Sequence, residues 1–117
     1  MADIKRIETS ARISRAVIHN GIAYLAGQTA AVKTPDIRAQ TRDVLGRIDA
    51  RLAEVGTDKS RLLTAQIWIK NIKDDFAGMN EVWDAWTAPG NAPTRATAEC
   101  NLASPDILVE IIVTAAL

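Results

Sequence analysis

Apolar residues recur at two different spacings along this chain, and the switches between them mark its elements. Ala16-Val17-Ile18-His19 and Ile22-Ala23-Tyr24-Leu25-Ala26 are short apolar runs separated by Asn20-Gly21. An Asn-Gly pair supplies the two positive φ angles of a type I′ turn, so these runs predict a hairpin. Ile4 to Glu8 predicts a short edge strand ahead of it. From Thr34 the period changes. Ile37, Val44, Ile48, Leu52 and Val55 fall on one helical stripe, with Thr34 as N-cap, Pro35 at the first helical position, Asp36 in the first turn and Gly56 as the stop. Leu63, Ala65, Ile67 and Ile69 then alternate with Trp68 on the other face, which predicts a strand over Leu62 to Lys70. Phe76, Met79, Val82, Trp83 and Trp86 return to steps of three and four, a second helix capped by Asp74 or Asp75. This stripe reads first as core and second as an aromatic ligand cage. Ala88 to Pro93 breaks the helix.

The last stretch holds the residue most in need of an explanation. Pro93 to Cys100 alternates, polar at 95, 97 and 99, whereas Asp106 to Leu117 is apolar on both faces apart from Glu110. Turn residues Asn101, Ser104 and Pro105 lie between them; if the strands pair as a hairpin, Arg95 and Glu110 fall opposite each other at roughly 5 Å between Cβ atoms, whereas a one-residue slip puts them on opposite faces and without the hairpin they need not meet. A carboxylate in such a strand needs a partner or a route to water. The structural reading is an ion pair with Arg95, or a glutamate at a sheet edge. The functional reading is a cation and a carboxylate sharing a cleft. The whole order is strand hairpin, helix, strand, helix, hairpin. It predicts an α+β domain with two helices on one face of a mixed sheet of roughly four to six strands. Val17, Tyr24, Trp68, Leu108 and Ile112 make the other face apolar too, and two helices cannot cover both. The second face therefore predicts an obligate oligomer.

Composition narrows the partners. A chain of 117 residues is one domain, spanning 1–117. Fourteen Lys and Arg balance fourteen Asp and Glu, which gives no support to a nucleic-acid or anionic-membrane partner. One cysteine excludes an internal disulfide framework. No apolar run behind the start suggests a signal peptide and none approaches a membrane span, so a cytoplasmic protein is expected. His19 is the only histidine, sits beside the hairpin turn and has no second ligand at metal spacing. Arg6, Arg12 and Arg15 read as surface charge.

The ordered set Arg15-Ala16-Val17, Asn20-Gly21, Ala26-Gly27-Gln28, Gln40-Thr41-Arg42-Asp43-Val44-Leu45, Asp75-Phe76-Ala77-Gly78-Met79-Asn80, Ala92-Pro93-Thr94-Arg95 and Leu108-Val109-Glu110-Ile111 resembles the Rid family of reactive-intermediate (enamine/imine) deaminases. The resemblance runs from about residue 12 to the end. It implies a chorismate-mutase-like subunit, a homotrimer whose sheets form a central β-barrel with helices outside, and sites in the clefts between subunits. It also implies roles. Arg95 would bind a substrate carboxylate and Glu110 would position or activate water. Thr97, Gly27, Gln28, Asn80 and Ile13 would line the site.

The implied reaction converts 2-enamine or 2-imine carboxylates, such as 2-aminoacrylate, to 2-keto acids and ammonia. No cofactor is required, because an imine is already electrophilic. A guanidinium fits a carboxylate bidentately, and Glu110 would act as general base. This chain departs from the better-studied deaminases in four places. Ala11-Arg12-Ile13 replaces a Gly-Pro-aromatic segment, Ala26 replaces a serine, Ile112 replaces a second glutamate, and the Trp83 and Trp86 pair is unusual. These changes point to a more apolar pocket. The alternative is a non-catalytic protein that holds small carboxylate metabolites, 2-imino or 2-keto acids among them, in the same cleft; a structural or chaperone-like role is a third. Glu110 separates the first two, since a binding protein needs the arginine but no carboxylate beside an anion.

Overall fold

The Asn20-Gly21 turn behaves as its sequence demands: φ is 52° at Asn20 and 76° at Gly21, the left-handed values that let two strands pair tightly. In the computed structural model, which describes residues 3–117, this turn joins β2 (Ser14–His19) to β3 (Ile22–Leu25). The edge strand β1 (Lys5–Thr9) pairs antiparallel with β2. Helix α1 (Ile37–Glu54), β4 (Leu62–Ile69), α2 (Ile72–Trp86), β5 (Thr94–Glu99) and β6 (Val109–Ala116) follow. The six strands form one mixed sheet in the order β1-β2-β3-β6-β4-β5. The expected α+β architecture is present, with both helices on one face.

Alternation decides which side of each strand meets those helices. Along β6, Val109, Ile111, Val113 and Ala115 are buried, and along β4 so are Ala65, Ile67 and Ile69. They form one core with Val44, Leu45, Ile48 and Leu52 of α1 and Met79, Val82 and Trp83 of α2. Fully burying one such large side chain is worth about 1.5–3 kcal/mol. Gln40, itself buried, ties α1 to the approach of β6: Nε2 donates to Thr34 O and Asp106 O, both at 2.9 Å, and Oε1 accepts from Leu108 N at 3.0 Å. Across the helix pair, Trp86 Nε1 donates to Asp49 Oδ2 at 3.0 Å and Arg38 Nε to Glu81 Oε2 at 2.6 Å.

The two helix starts differ from the sequence expectation. Asp36, not Thr34, caps α1 by accepting from Arg38 N. Asn71 occupies the cap of α2 without a side-chain bond, while Asp74 and Asp75 lie in its first turn. Glu99, from the far end of β5, accepts from Ile72 N at 3.0 Å instead.

The larger correction concerns the last two strands. β5 and β6 do not form a hairpin. β4 lies between them, parallel to β5 and antiparallel to β6. A strand apolar on both faces belongs in the middle of a sheet, and β6 takes that place between β3 and β4. β5, polar at alternate positions, takes the edge.

Candidate functional site

Register places Arg95 and Glu110 on opposite faces of the sheet. Arg95 aligns with Ala65 on β4, and Glu110 aligns with Trp68. Ala65 and Trp68 are three apart on one strand, so their side chains leave opposite faces, as do those of their neighbours. The expected cross-strand pair is therefore absent within one chain, and so is the structural ion pair. Among the described residues neither Arg95 nor Glu110 has a salt-bridge or side-chain hydrogen-bond partner of its own.

Arg95 turns to the helix face. Its guanidinium carbon lies 5.9 Å from the centre of the Phe76 ring and 5.6 Å from that of Trp83. Phe76, Asn80 and Trp83 stand at i, i+4 and i+7 on α2 and so share one side of it. Two aromatic faces attract a cation, by about 0.5–2 kcal/mol each, yet offer it no acceptor. Thr97 is two residues on along the same face of β5, aligned with Ile67. Thr97 Oγ1 and Asn80 Oδ1 are both shielded from water with no hydrogen-bond partner among the described residues. Arg95, Thr97 and Asn80 thus lie on the helix side of the sheet, and all three have unused polar capacity. The sequence reading missed that Phe76 and Trp83 form the bed under Arg95. Their spacing of seven was a visible signal, but it looked like core, and Trp83 is indeed buried.

Glu110 turns to the face without helices. Gly27 is what lets it sit there: a Cβ on residue 27 would overlap Glu110 Oε2 and lie 3.1 Å from its Cδ and 3.2 Å from Ile112 Cγ1. Gln28 holds that approach. Its N–H donates to Ile111 O at 2.9 Å and its carbonyl accepts from Ile111 N at 3.1 Å, while its buried side chain donates back to Ala26 O. Gln28 therefore acts as a splice between the Ala26–Thr29 segment and β6. Beyond Glu110 lies a mainly apolar cleft of about 390 Å³ walled by Trp68, Ala98, Cys100, Leu102 and Ala103. Burial there raises the Glu110 carboxyl above the ordinary carboxylate pKa. Ile13 is exposed at the β1–β2 turn, which Ser10 pins by accepting from Arg12 N and Ile13 N at 3.2 Å. It shares a second cleft with Gly27 and Gln28.

His19 lies apart from both groups. Its Nδ1 is 3.2 Å from Asp3 O and its Nε2 3.1 Å from Asn20 Nδ2.

A six-stranded α+β domain with one bare sheet face, a half-buried arginine at the sheet edge and a glutamate on the bare face belongs to a class of small domains whose polar groups are split between two surfaces. The chain belongs to the Rid/YjgF family. Residues 3–117 match the family described as Endoribonuclease L-PSP. A RutC family protein of Haemophilus ducreyi is 47% identical over 114 residues, 97% of each chain. The RutC family protein YoaB of Escherichia coli is 42% identical over 113 residues, again 97% of each. Among crystal structures, a YjgF-family protein of Neisseria meningitidis superposes with a TM-score of 0.92 at 44% identity, over 97% of this chain and 94% of that one. A Rid-family protein of Yersinia pestis, YyfA, does so with a TM-score of 0.89 at 31% identity, over 98% and 100%.

Proposed function

We propose that this protein hydrolyses reactive 2-enamine and 2-imine carboxylates to 2-keto acids and ammonia, at sites that Arg95 of one subunit and Glu110 of another complete. The carrying observation is that the two groups are unpaired within the chain and lie on opposite faces of its sheet. Only a second copy can bring them to one ligand. The bare face supports this: Tyr24 and Trp68 are 45% and 37% exposed there, with Val17 and Ile112 half-buried beside them. Copies packed through these faces would form the homotrimer with a central β-barrel that the sequence resemblance implies.

The chemistry follows from the two halves. Arg95, stacked but without an acceptor, takes the substrate carboxylate in a bidentate grip. That grip aims the C=N carbon at a water beside Glu110. As ionised carboxylate, Glu110 accepts a proton from the water while the water's oxygen bonds to carbon, and solvent protonates the imine nitrogen. The neutral carbinolamine then collapses. Glu110 returns its proton to nitrogen, the C–N bond breaks, ammonia leaves, and the hydroxyl proton passes to solvent as the C=O of the keto acid forms. A pKa raised by burial suits a group that must both accept and return a proton. The apolar wall of Trp68, Leu102 and Ala98 beside Glu110 favours imines with an apolar side chain.

RNA cleavage, which the family's description carries, would call for a cation-rich track, and this chain balances fourteen cations with fourteen anions. Carboxylate binding without turnover uses Arg95, Thr97 and Asn80 but leaves the raised Glu110 without a purpose. The test is ammonia release from freshly generated 2-imino acids with small, branched and aromatic side chains. Wild type should outpace the buffer reaction and Arg95→Ala should not. No acceleration for any of them would leave the binding role.

A further inference from the structure

Two aromatic rings flank Arg95, and the proposed reaction gives neither of them a role. Phe76 and Trp83 stand on one side of α2, with ring centres 5.9 Å and 5.6 Å from the guanidinium carbon. The rings differ in what else explains them. Trp83 is 5% exposed and belongs to the core, which is reason enough for its presence. Phe76 is 40% exposed. A large apolar ring left that open gains only part of what burial can supply. Attraction between its face and a cation needs no burial.

Arg95 presents the complementary case. It is half-buried on the edge strand β5 and reaches toward α2, with no carboxylate beside it among the described residues. A free arginine side chain visits many rotamers, and an anion that binds it must first halt them. A glutamate in place of the rings would halt them too, but it would occupy the N–H groups and cancel the charge. Ring faces hold the cation and accept none of its in-plane hydrogen bonds. They suit an arginine that must be fixed in position and still be open to an anion.

We infer that Phe76 and Trp83 are positioning residues for Arg95: they settle its guanidinium in advance, so that a ligand carboxylate meets an arginine already in place. The inference rests on the proposed role of Arg95 as the carboxylate-binding residue. It extends that role to two aromatic side chains of α2, neither of which has to touch the ligand.

Phe76→Leu tests it, because the change keeps an apolar side chain, removes the ring and falls at an exposed position. KM for the 2-imino acid should rise about threefold or more, and so should Kd for pyruvate, a 2-keto acid that does not react, while kcat stays within about twofold of wild type. Phe76→Tyr restores a ring face and should restore both constants. Trp83→Leu should act in the same direction, and the Phe76 variants decide the matter if it fails to fold. In protein carrying isotopically labelled arginine, the Nε–H signal that Arg95→Ala removes should lie upfield of free arginine, shifted by the rings, and should move in Phe76→Leu. Unchanged KM and Kd in Phe76→Leu, a loss confined to kcat, an equal loss in Phe76→Tyr, or an Arg95 signal at the free-arginine position would each overturn the inference. The deaminase reading fails separately. If wild type binds pyruvate through Arg95 yet consumes no imine, that reading falls, and Kd and the Arg95 signal still decide on the rings. If wild type neither binds pyruvate nor consumes imines, both fall.

Discussion

The proposed shared site predicts that variants lacking Arg95 or Glu110, each inactive alone, should repair each other, because the two residues leave opposite faces of one sheet. Arg95→Ala removes a bidentate, charge-assisted contact to substrate, worth about 1.5–3 kcal/mol, or roughly ten- to 150-fold in kcat/KM. Glu110→Gln removes the general base, a loss of about 10²–10⁴-fold. Alone, neither variant has an intact site. When equal amounts are unfolded together and refolded, each site draws its arginine from one subunit and its glutamate from another. The arginine is intact with a chance of about one half and the glutamate with the same chance, so about one site in four is whole. That fraction is the same for any closed ring of subunits. The mixture should recover about a quarter of wild-type ammonia release, against about a tenth or less for either variant refolded alone. Native mass spectrometry would verify that mixed assemblies formed. Mixed assemblies no more active than their parents would refute the shared site.

Three further outcomes follow from geometry already described. Gly27→Ala would drive a methyl group into the Glu110 carboxylate; the strain is about 1–3 kcal/mol, and deaminase rate should fall at least tenfold while the circular dichroism of the fold persists. Burial raises the folded-state pKa of Glu110, so the native chain binds more protons than the unfolded one and loses stability as pH rises through the window above the unfolded carboxylate value. Glu110→Gln should therefore melt higher than wild type near neutral pH, and that gain should vanish in acid; a gain that is the same at both would contradict the assigned burial. Trp86→Phe deletes the 3.0 Å bond to Asp49 and should lower Tm by about 4–8 °C, the equivalent of about 1 kcal/mol, without changing the rate.

Local patterns in the chain foretold local structure well. The Asn20-Gly21 turn, the alternating β4 and both helical stripes were legible because each rests on neighbours in sequence. Strand order was not. The nine residues between Glu99 and Val109 contain turn formers and do reverse the chain, so β5 and β6 run in the directions of a hairpin. Nothing local says that β4 will slide between them. The stronger clue was global: β6 is apolar on both faces and β5 is not, so only β6 suits an interior position. The cap of α2 failed for a similar reason, since Glu99 reaches Ile72 from 27 residues away. Family resemblance named Arg95, Thr97 and Asn80, which β5 and α2 carry on the helix side of the sheet. It also named Gly27, whose role is steric. The aromatic bed of Phe76 and Trp83 looked like core because one of the two is core.

The central position of β6 has a consequence for how the protein is made. Val109–Ala116 is the last of the six strands in chain order, yet it fills the gap between β3 and β4. Until those eight residues emerge, the nascent chain holds two half-sheets, β1-β2-β3 and β4-β5, each with an open inner edge and no joint core. Completion of the sheet must therefore wait until β6 has emerged, and the two open edges are exposed to other chains in the interval. A truncation before Val109 would leave that interval permanent. A premature stop near the end should thus yield aggregate rather than a shortened domain.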